Sequence, residues 1–240
     1  MTEDNKKGDE IGMRHIRVSY TNCFLLNCKE GYLLIDTGFP GEYNSFLKKL
    51  AKIDIELSEI KYLLLTHRHD DHSGFAAELV EDTGAKIIAH KEGVPLLEKG
   101  ETAYNNRGKF LNLCTKFLMG AHSIITTRKD TYRPIKLTEN DYIVDGDDAQ
   151  LLKGIGIDGE ILHTPGHTED SISVLTSDGT AFVGDVAMNF LNLCRIRYRP
   201  IWLQNIGKVY KSWNKLIKHG AKTICPAHGK RFPAGRLKKV

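Results

Sequence analysis

Long apolar runs are missing from this chain of 240 residues. No stretch approaches the ~20 uninterrupted apolar residues of a membrane helix, so no membrane partner is expected. Met1 to Glu10 is polar and charged, without the apolar core of a signal peptide. Paired cysteine motifs are missing too. Cys23, Cys28, Cys114, Cys194 and Cys225 are scattered, odd in number and without a C-x-x-C, which argues against a disulfide framework or a zinc ribbon. Buried free thiols in a reducing, cytoplasmic setting are the expectation. A strong excess of charge is also lacking: a net +4 is too small to call for a nucleic-acid partner. Low-complexity linkers and internal repeats are absent. The length fits one large α/β domain over residues 13–240, preceded by a flexible tail at 1–12.

Strand and helix signals alternate along that domain. Asn22–Asn27 and Tyr32–Asp36 read as strands around the turn Cys28-Lys29-Glu30-Gly31. Tyr43, Phe46, Leu47 and Leu50 recur at helical spacing. The apolar run Tyr62–Leu65 reads as a strand, Phe75–Asp82 as a helix with Gly84 as its C-cap, and Lys86–Ala89 as a short strand. Residues 91–140 form a helical insert, with one helix near Leu96 and another from about Asn105 to Met119, followed by a basic stretch from Arg128 to Lys136. Strands return at Gly159–His163, Ile172–Thr176 and Ala181–Val183. Ile206–Lys218 is an amphipathic helix, and Lys222–Cys225 a last strand.

Histidine is scarce, ten residues in all, yet three lie in Thr66-His67-Arg68-His69-Asp70-Asp71-His72. Imidazole and carboxylate are ligands for zinc and related metals. On an extended segment residues i and i+2 share a face, so His67 and His69 can meet one ion while Asp71 and His72 serve a second. Three later segments each place a ligand type after a strand and beside Gly or Pro: His167 in Leu162–Thr168, Asp185 in Phe182–Asp185, and His228 in Ile224–Gly229. Each is weak alone. Their order behind the first cluster makes the set specific.

With Asp36 in Asp36-Thr37-Gly38, these five motifs resemble those of the metallo-β-lactamase superfamily over nearly the whole chain. The resemblance implies a four-layer αββα sandwich with a binuclear site at one edge. It implies that His67, His69 and His167 bind one metal, that Asp71, His72 and His228 bind the other, that Asp185 bridges them, and that Asp36 orients ligands from behind. It also implies two divalent transition-metal ions, zinc first and iron or manganese as alternatives, with a bridging hydroxide as nucleophile that Asp71 can steer. Asp185 resembles the bridge of the thioester-, lactone- and phosphodiester-hydrolysing branches; true class B β-lactamases lack it.

The expected activity is therefore hydrolysis of an ester, thioester or lactone, on a small-molecule substrate. A phosphodiesterase and a non-hydrolytic di-iron redox protein are the alternatives. The insert's Phe110, Leu111, Leu113, Phe117, Leu118 and Met119 either pack onto the fold or wall the substrate pocket. In Arg195-Ile196-Arg197-Tyr198-Arg199, alternation would set three guanidinium groups on one face, as a solvated edge or as a site for a substrate anion.

Overall fold

The computed structural model describes residues 12–103, 108–126 and 130–239. Residues 1–11 of the expected tail at 1–12, the first residues of the expected Asn105–Met119 helix, Arg128 and Val240 lie outside them. In chain order the elements are β1 Met13–Val18, β2 Thr21–Cys28, β3 Gly31–Ile35, α1 Tyr43–Leu50, β4 Ile60–Leu64, α2 Asp70–Ser73, α3 Ala76–Thr83, β5 Lys86–His90 and α4 Val94–Leu97. There follow β6 Lys109–Phe110, α5 Leu113–Thr126, β7 Tyr142–Val144, α6 Leu151–Gly154, β8 Gly159–His163, β9 Ile172–Thr176 and β10 Thr180–Phe182. Last come β11 Trp202–Leu203, α7 Ile206–Lys218, β12 Thr223–Cys225 and β13 Phe232–Pro233.

Two sheets form, one in the order β1-β2-β3-β4-β5-β7 and one in the order β13-β12-β10-β9-β8. Side-chain alternation sorts their residues into three apolar layers. Leu25, Leu34, Leu63 and Ile87 face the cluster that holds Phe46 of α1 and Leu79 of α3. Their neighbours Phe24, Leu33, Ile35, Leu64 and Ile88 face the other way and meet Ile161, Val174 and Phe182 of the second sheet. The far side of that sheet gives Leu162, Leu175, Ala181 and Ile224 to Val209, Trp213 and Leu216 of α7. Helices, sheet, sheet, helix: this is the αββα sandwich. Each fully buried Leu or Phe contributes about 1.5–3 kcal/mol.

The strongest sequence signals match their elements closely. Asn205 caps α7 by accepting a hydrogen bond from the Lys208 amide at 3.0 Å, and Gly84 ends α3 in the left-handed region. Strands β1, β7 and β13 were without a clear signal. In β1 Arg14, His15 and Arg17 interrupt the apolar pattern, and its buried residues divide between layers, Met13 packing between the sheets and Ile16 and Val18 on the side of α1 and α3. The helix expected from about Asn105 starts instead at Leu113, because Lys109 and Phe110 pair with Leu203 and Trp202 as a two-stranded ribbon.

That ribbon also overturns the expectation of five free thiols. It brings the start of α5 to the loop after Asp185, and Cys114 is disulfide-bonded to Cys194 across a sequence separation of 80. Asn112 Nδ2 donates to the Cys194 carbonyl at 2.9 Å beside it. Spacing along the chain carries no trace of this pairing. Cys23, Cys28 and Cys225 are free thiols.

Candidate metal centre

The sandwich places its ligand types at the carboxyl ends of strands from both sheets. Asp36 follows β3, the His67–His72 run follows β4, His167 follows β8, Asp185 follows β10 and His228 follows β12. Close approach there depends on glycine. Gly184 has φ +51°, and a Cβ on it would lie 2.4 Å from Thr66 Oγ1. Gly166 has φ +138°, and its Cβ would lie 2.4 Å from the Val209 amide nitrogen.

All seven candidate ligands are buried and converge. His67, His69 and His167 bring ligand atoms within 4.8 Å of one another, as do Asp71, His72 and His228, and as do His67, His72 and Asp185. His167 Nε2 lies 3.1 Å from His67 Nε2 and 3.0 Å from His69 Nδ1. Asp71 Oδ2 lies 3.0 Å from His228 Nε2. Asp185 faces both groups: Oδ1 is 3.5 Å from His72 Nε2 and 3.4 Å from His228 Nε2, while Oδ2 is 3.6 Å from His167 Nε2.

Outer hydrogen bonds fix which ring nitrogen faces inward. His72 Nδ1 is 2.8 Å from Asp36 Oδ2, His167 Nδ1 is 2.8 Å from the Trp202 carbonyl, and His228 Nδ1 is 2.9 Å from the Tyr20 carbonyl. Oxygens of these kinds only accept, so Nδ1 donates and Nε2 turns its lone pair to the centre. Asp36 also accepts from the Thr66 amide and hydroxyl, both at 2.7 Å. It holds φ +60°, a left-handed backbone that is uncommon outside glycine. Arg68, between the two histidines, points away: its amide at 2.9 Å and its guanidinium both donate to buried Asp170. Tyr132 OH donates to the Arg68 carbonyl at 2.7 Å.

Electrostatics separate the two groups. Burial above all lowers His67, His69 and His167 below the ordinary histidine value, and neighbouring imidazoles add to this at His67 and His69. Burial also works against a charged His72 and His228, but the carboxylates outweigh it. Asp71, Asp36 and Asp185 raise His72, and Asp185 and Asp71 push His228 up to about 9. In return His72 and His228 hold Asp71 and Asp185 below the usual carboxylate range despite burial.

A pair of cations fits these residues. His167 Nε2 lies 3.0–3.1 Å from ring nitrogens of both His67 and His69, close to the about 3.3 Å that a tetrahedral ion with ~2.0–2.1 Å bonds imposes. His72 Nε2 and Asp185 Oδ1 are buried without a hydrogen-bond partner, an arrangement that costs stability unless something positive satisfies them.

The arginine run is not extended. Arg195, Arg197 and Tyr198 have φ of 52°, 50° and 68°, so the chain coils and strand alternation does not apply. Arg199 turns back, donating from Nε to the Ile196 carbonyl at 2.7 Å and from Nη2 to the Arg195 carbonyl at 3.0 Å. Arg195 and Arg197 are exposed. Sequence reasoning missed Asp170, Tyr132, Trp202 and Tyr20. The two carbonyl acceptors, Trp202 and Tyr20, could not have been read from side-chain types at all, and Asp170 had only its place three residues after His167 to mark it.

The sequence pattern of the metallo-beta-lactamase superfamily matches residues 16–228, and the chain belongs to that superfamily. It is 30% identical over 233 residues to the uncharacterized protein YobT of Bacillus subtilis, covering 91% of this chain and 88% of that one. It is 26% identical to the beta-lactamase-like protein 2 homolog of Drosophila melanogaster, over 90% of this chain and 62% of the relative. It is 28% identical to the hydroxyacylglutathione hydrolase GloC of Haemophilus influenzae, over 69% of this chain and 66% of the relative. The chain thus spans under two thirds of the length of those last two proteins. A metallo-beta-lactamase family protein from Thermus thermophilus shares the fold at a TM-score of 0.67 and 20% identity, with 94% of this chain and 76% of that chain covered. Among the described residues no helix is long and apolar enough to cross a membrane.

Proposed function

We propose that the chain hydrolyses a small ester, thioester or lactone carrying an anionic group, at a binuclear metal centre. His67, His69 and His167 hold one divalent ion, Asp71, His72 and His228 hold the other, and Asp185 spans the two. The observation that carries this reading is Asp185, whose Oδ1 addresses His72 and His228 while its Oδ2 addresses His167. One carboxylate shared between two ligand groups is the geometry of a bridge. Bound there, the ions would supply a water acidified toward a pKa of ~7 and a Lewis acid for the substrate's oxygen. Asp71, held ionised by His72 and His228, would orient that water through a carboxylate oxygen. Asp36 keeps His72 Nε2 aimed inward. Zinc suits the donor set best, and the same donors accept iron or manganese.

The relative named as a hydroxyacylglutathione hydrolase supports a thioester among the three carbonyl classes. Arg195 and Arg197, exposed on the loop after Asp185, supply guanidinium forks for an anionic group. The same pair favours a phosphodiester as a second reading. Protein reconstituted separately with zinc, iron or manganese, analysed for metal and assayed on thioester, lactone and bis(p-nitrophenyl) phosphate panels, separates these readings. The expected result is about two ions per chain and turnover of a thioester or lactone. Phosphodiester turnover alone selects the second reading. Two ions without turnover of any panel member, or failure to bind a second ion, sinks the first.

A further inference from the structure

Acidic residues are distributed unevenly along the chain. Residues 102–129 contain no Asp or Glu, and neither does anything from Val186 to the last residue. The second of these stretches carries thirteen lysines and arginines, and all thirty acidic residues lie elsewhere. The fold joins the two stretches through the β6–β11 ribbon and the Cys114–Cys194 disulfide. Exposed near that junction are Lys109, Lys116, Arg195 and Arg197, whereas Lys208 and Lys215 farther along the second stretch pair with Glu169 and Asp147. Beside the junction a groove of about 440 Å³ is lined by Lys109, Phe110, Leu113 and Lys116.

The same surface exposes the most prominent apolar side chains among the described residues. Leu113 is 83% exposed, Phe117 74% and Leu193 76%. Leu113 and Phe117 stand one helical turn apart on α5, so they share a face. Leu193 adjoins Cys194 and is thereby tied to the start of that helix. Lys109 and Lys116 are exposed beside them. Aliphatic and aromatic side chains projecting beside exposed lysines are complementary to a surface with negative headgroups above hydrocarbon. A nucleic acid would not use the exposed leucines, and an uncharged apolar partner would not use the lysines.

We propose that this face docks the protein reversibly onto an anionic lipid bilayer, with Leu113, Phe117 and Leu193 entering the headgroup boundary and Lys109 and Lys116 meeting lipid phosphates. No spanning helix is needed. The surface lies next to the metal centre: Phe110 of the groove pairs with Trp202, whose carbonyl takes the His167 Nδ1 proton. Docking would bring the mouth of the site to the lipid surface. The attachment stands or falls separately from hydrolysis, because its readout is binding.

Flotation of the metal-loaded full chain with vesicles of phosphatidylcholine alone, and of phosphatidylcholine mixed with phosphatidylglycerol, tests the proposal. Binding is expected to the mixed vesicles and not to phosphatidylcholine, with release at high salt. Lys116→Glu should lower the partition about tenfold or more, and the double variant Leu113→Asp/Phe117→Asp should abolish it while far-UV circular dichroism and metal content stay as in the parent. Equal binding to both vesicle types, no binding to either, or mixed-vesicle binding that survives the double variant overturns the proposal. So does a dimer in light scattering that the double variant disperses, since a second copy would then own the face. None of these failures touches the hydrolase reading.

Discussion

At the candidate metal centre seven side chains from four strand ends are only 0–9% exposed, and they converge on one another. A few residues away, α5 and the coil of Arg195–Arg199 present leucine, phenylalanine and arginine to solvent. The two regions meet at the β6–β11 ribbon, where Trp202 packs its ring against His69 and His167 at centroid distances of 5.4 and 5.6 Å. Rigidity belongs to the first region because chemistry at fixed ligands tolerates little displacement. The second is held by a ribbon of two residue pairs, one covalent bond and a small apolar cluster in which Leu111 and Leu118 pack on Met188, Cys194 and Ile196. One region is built to hold geometry, and the other to meet something outside the molecule.

Substitutions in the two regions should therefore behave differently. Asp71→Ala is expected to give the largest effect, a loss of about 10²–10⁴ in kcat, with a thermal transition close to that of the parent. A variant that keeps full turnover would remove Asp71 from the chemistry. Behind the ligands, Asp170→Ala strips the partner from the buried Arg68 guanidinium, whose side chain is 6% exposed. Breaking a buried pair this way costs about 3–5 kcal/mol, read as a shift of the urea midpoint; a midpoint that does not move would show that water reaches Arg68.

Crossing to the second region, Cys114→Ser should cost about 2–4 kcal/mol because the bond closes a long loop. The thermal transition of the parent should fall in dithiothreitol and that of the variant should not. Identical transitions in both would mean that the two thiols are unpaired in solution. Asp36→Ala leaves every ligand in place but frees the His72 ring, so metal affinity measured by competition with a chelator should weaken about 10–100-fold. The smallest effect concerns thiol chemistry. Burial pushes the Cys225 thiol up to about 12, and raises Cys23 as well. A raised pKa leaves the neutral, unreactive thiol dominant at neutral and mildly alkaline pH. Native protein should therefore take up maleimide at half-buried Cys28 first, as peptide mapping can verify.

Legibility in the sequence followed the range of the interactions. The His67–His72 run could be read directly because its spacing is local, and α7 because Val209, Trp213 and Leu216 repeat on one face with Asn205 before them. His167, Asp185 and His228 were individually weak and gained meaning from their order. The arginine run misled: three guanidiniums at i, i+2, i+4 suggest a strand, whereas left-handed residues at Arg195, Arg197 and Tyr198 coil the chain. The helix start expected near Asn105 gave way to a ribbon whose partner lies some ninety residues onward.

By itself the sequence determined the candidate ligand types, their order and the layered α/β plan, since periodicity and local spacing need only near neighbours along the chain. Tertiary structure alone decided that Asp185 presents one oxygen to each ligand group. It also decided that Trp202 and Tyr20 lend backbone carbonyls to His167 and His228, that Cys114 meets Cys194, and that the start of α5 lies beside the loop after Asp185. Each of these depends on residues far apart in the chain meeting at a strand end or across a two-pair ribbon. Their distance in space is set by the packing of the two sheets, and no residue's neighbours in sequence encode it.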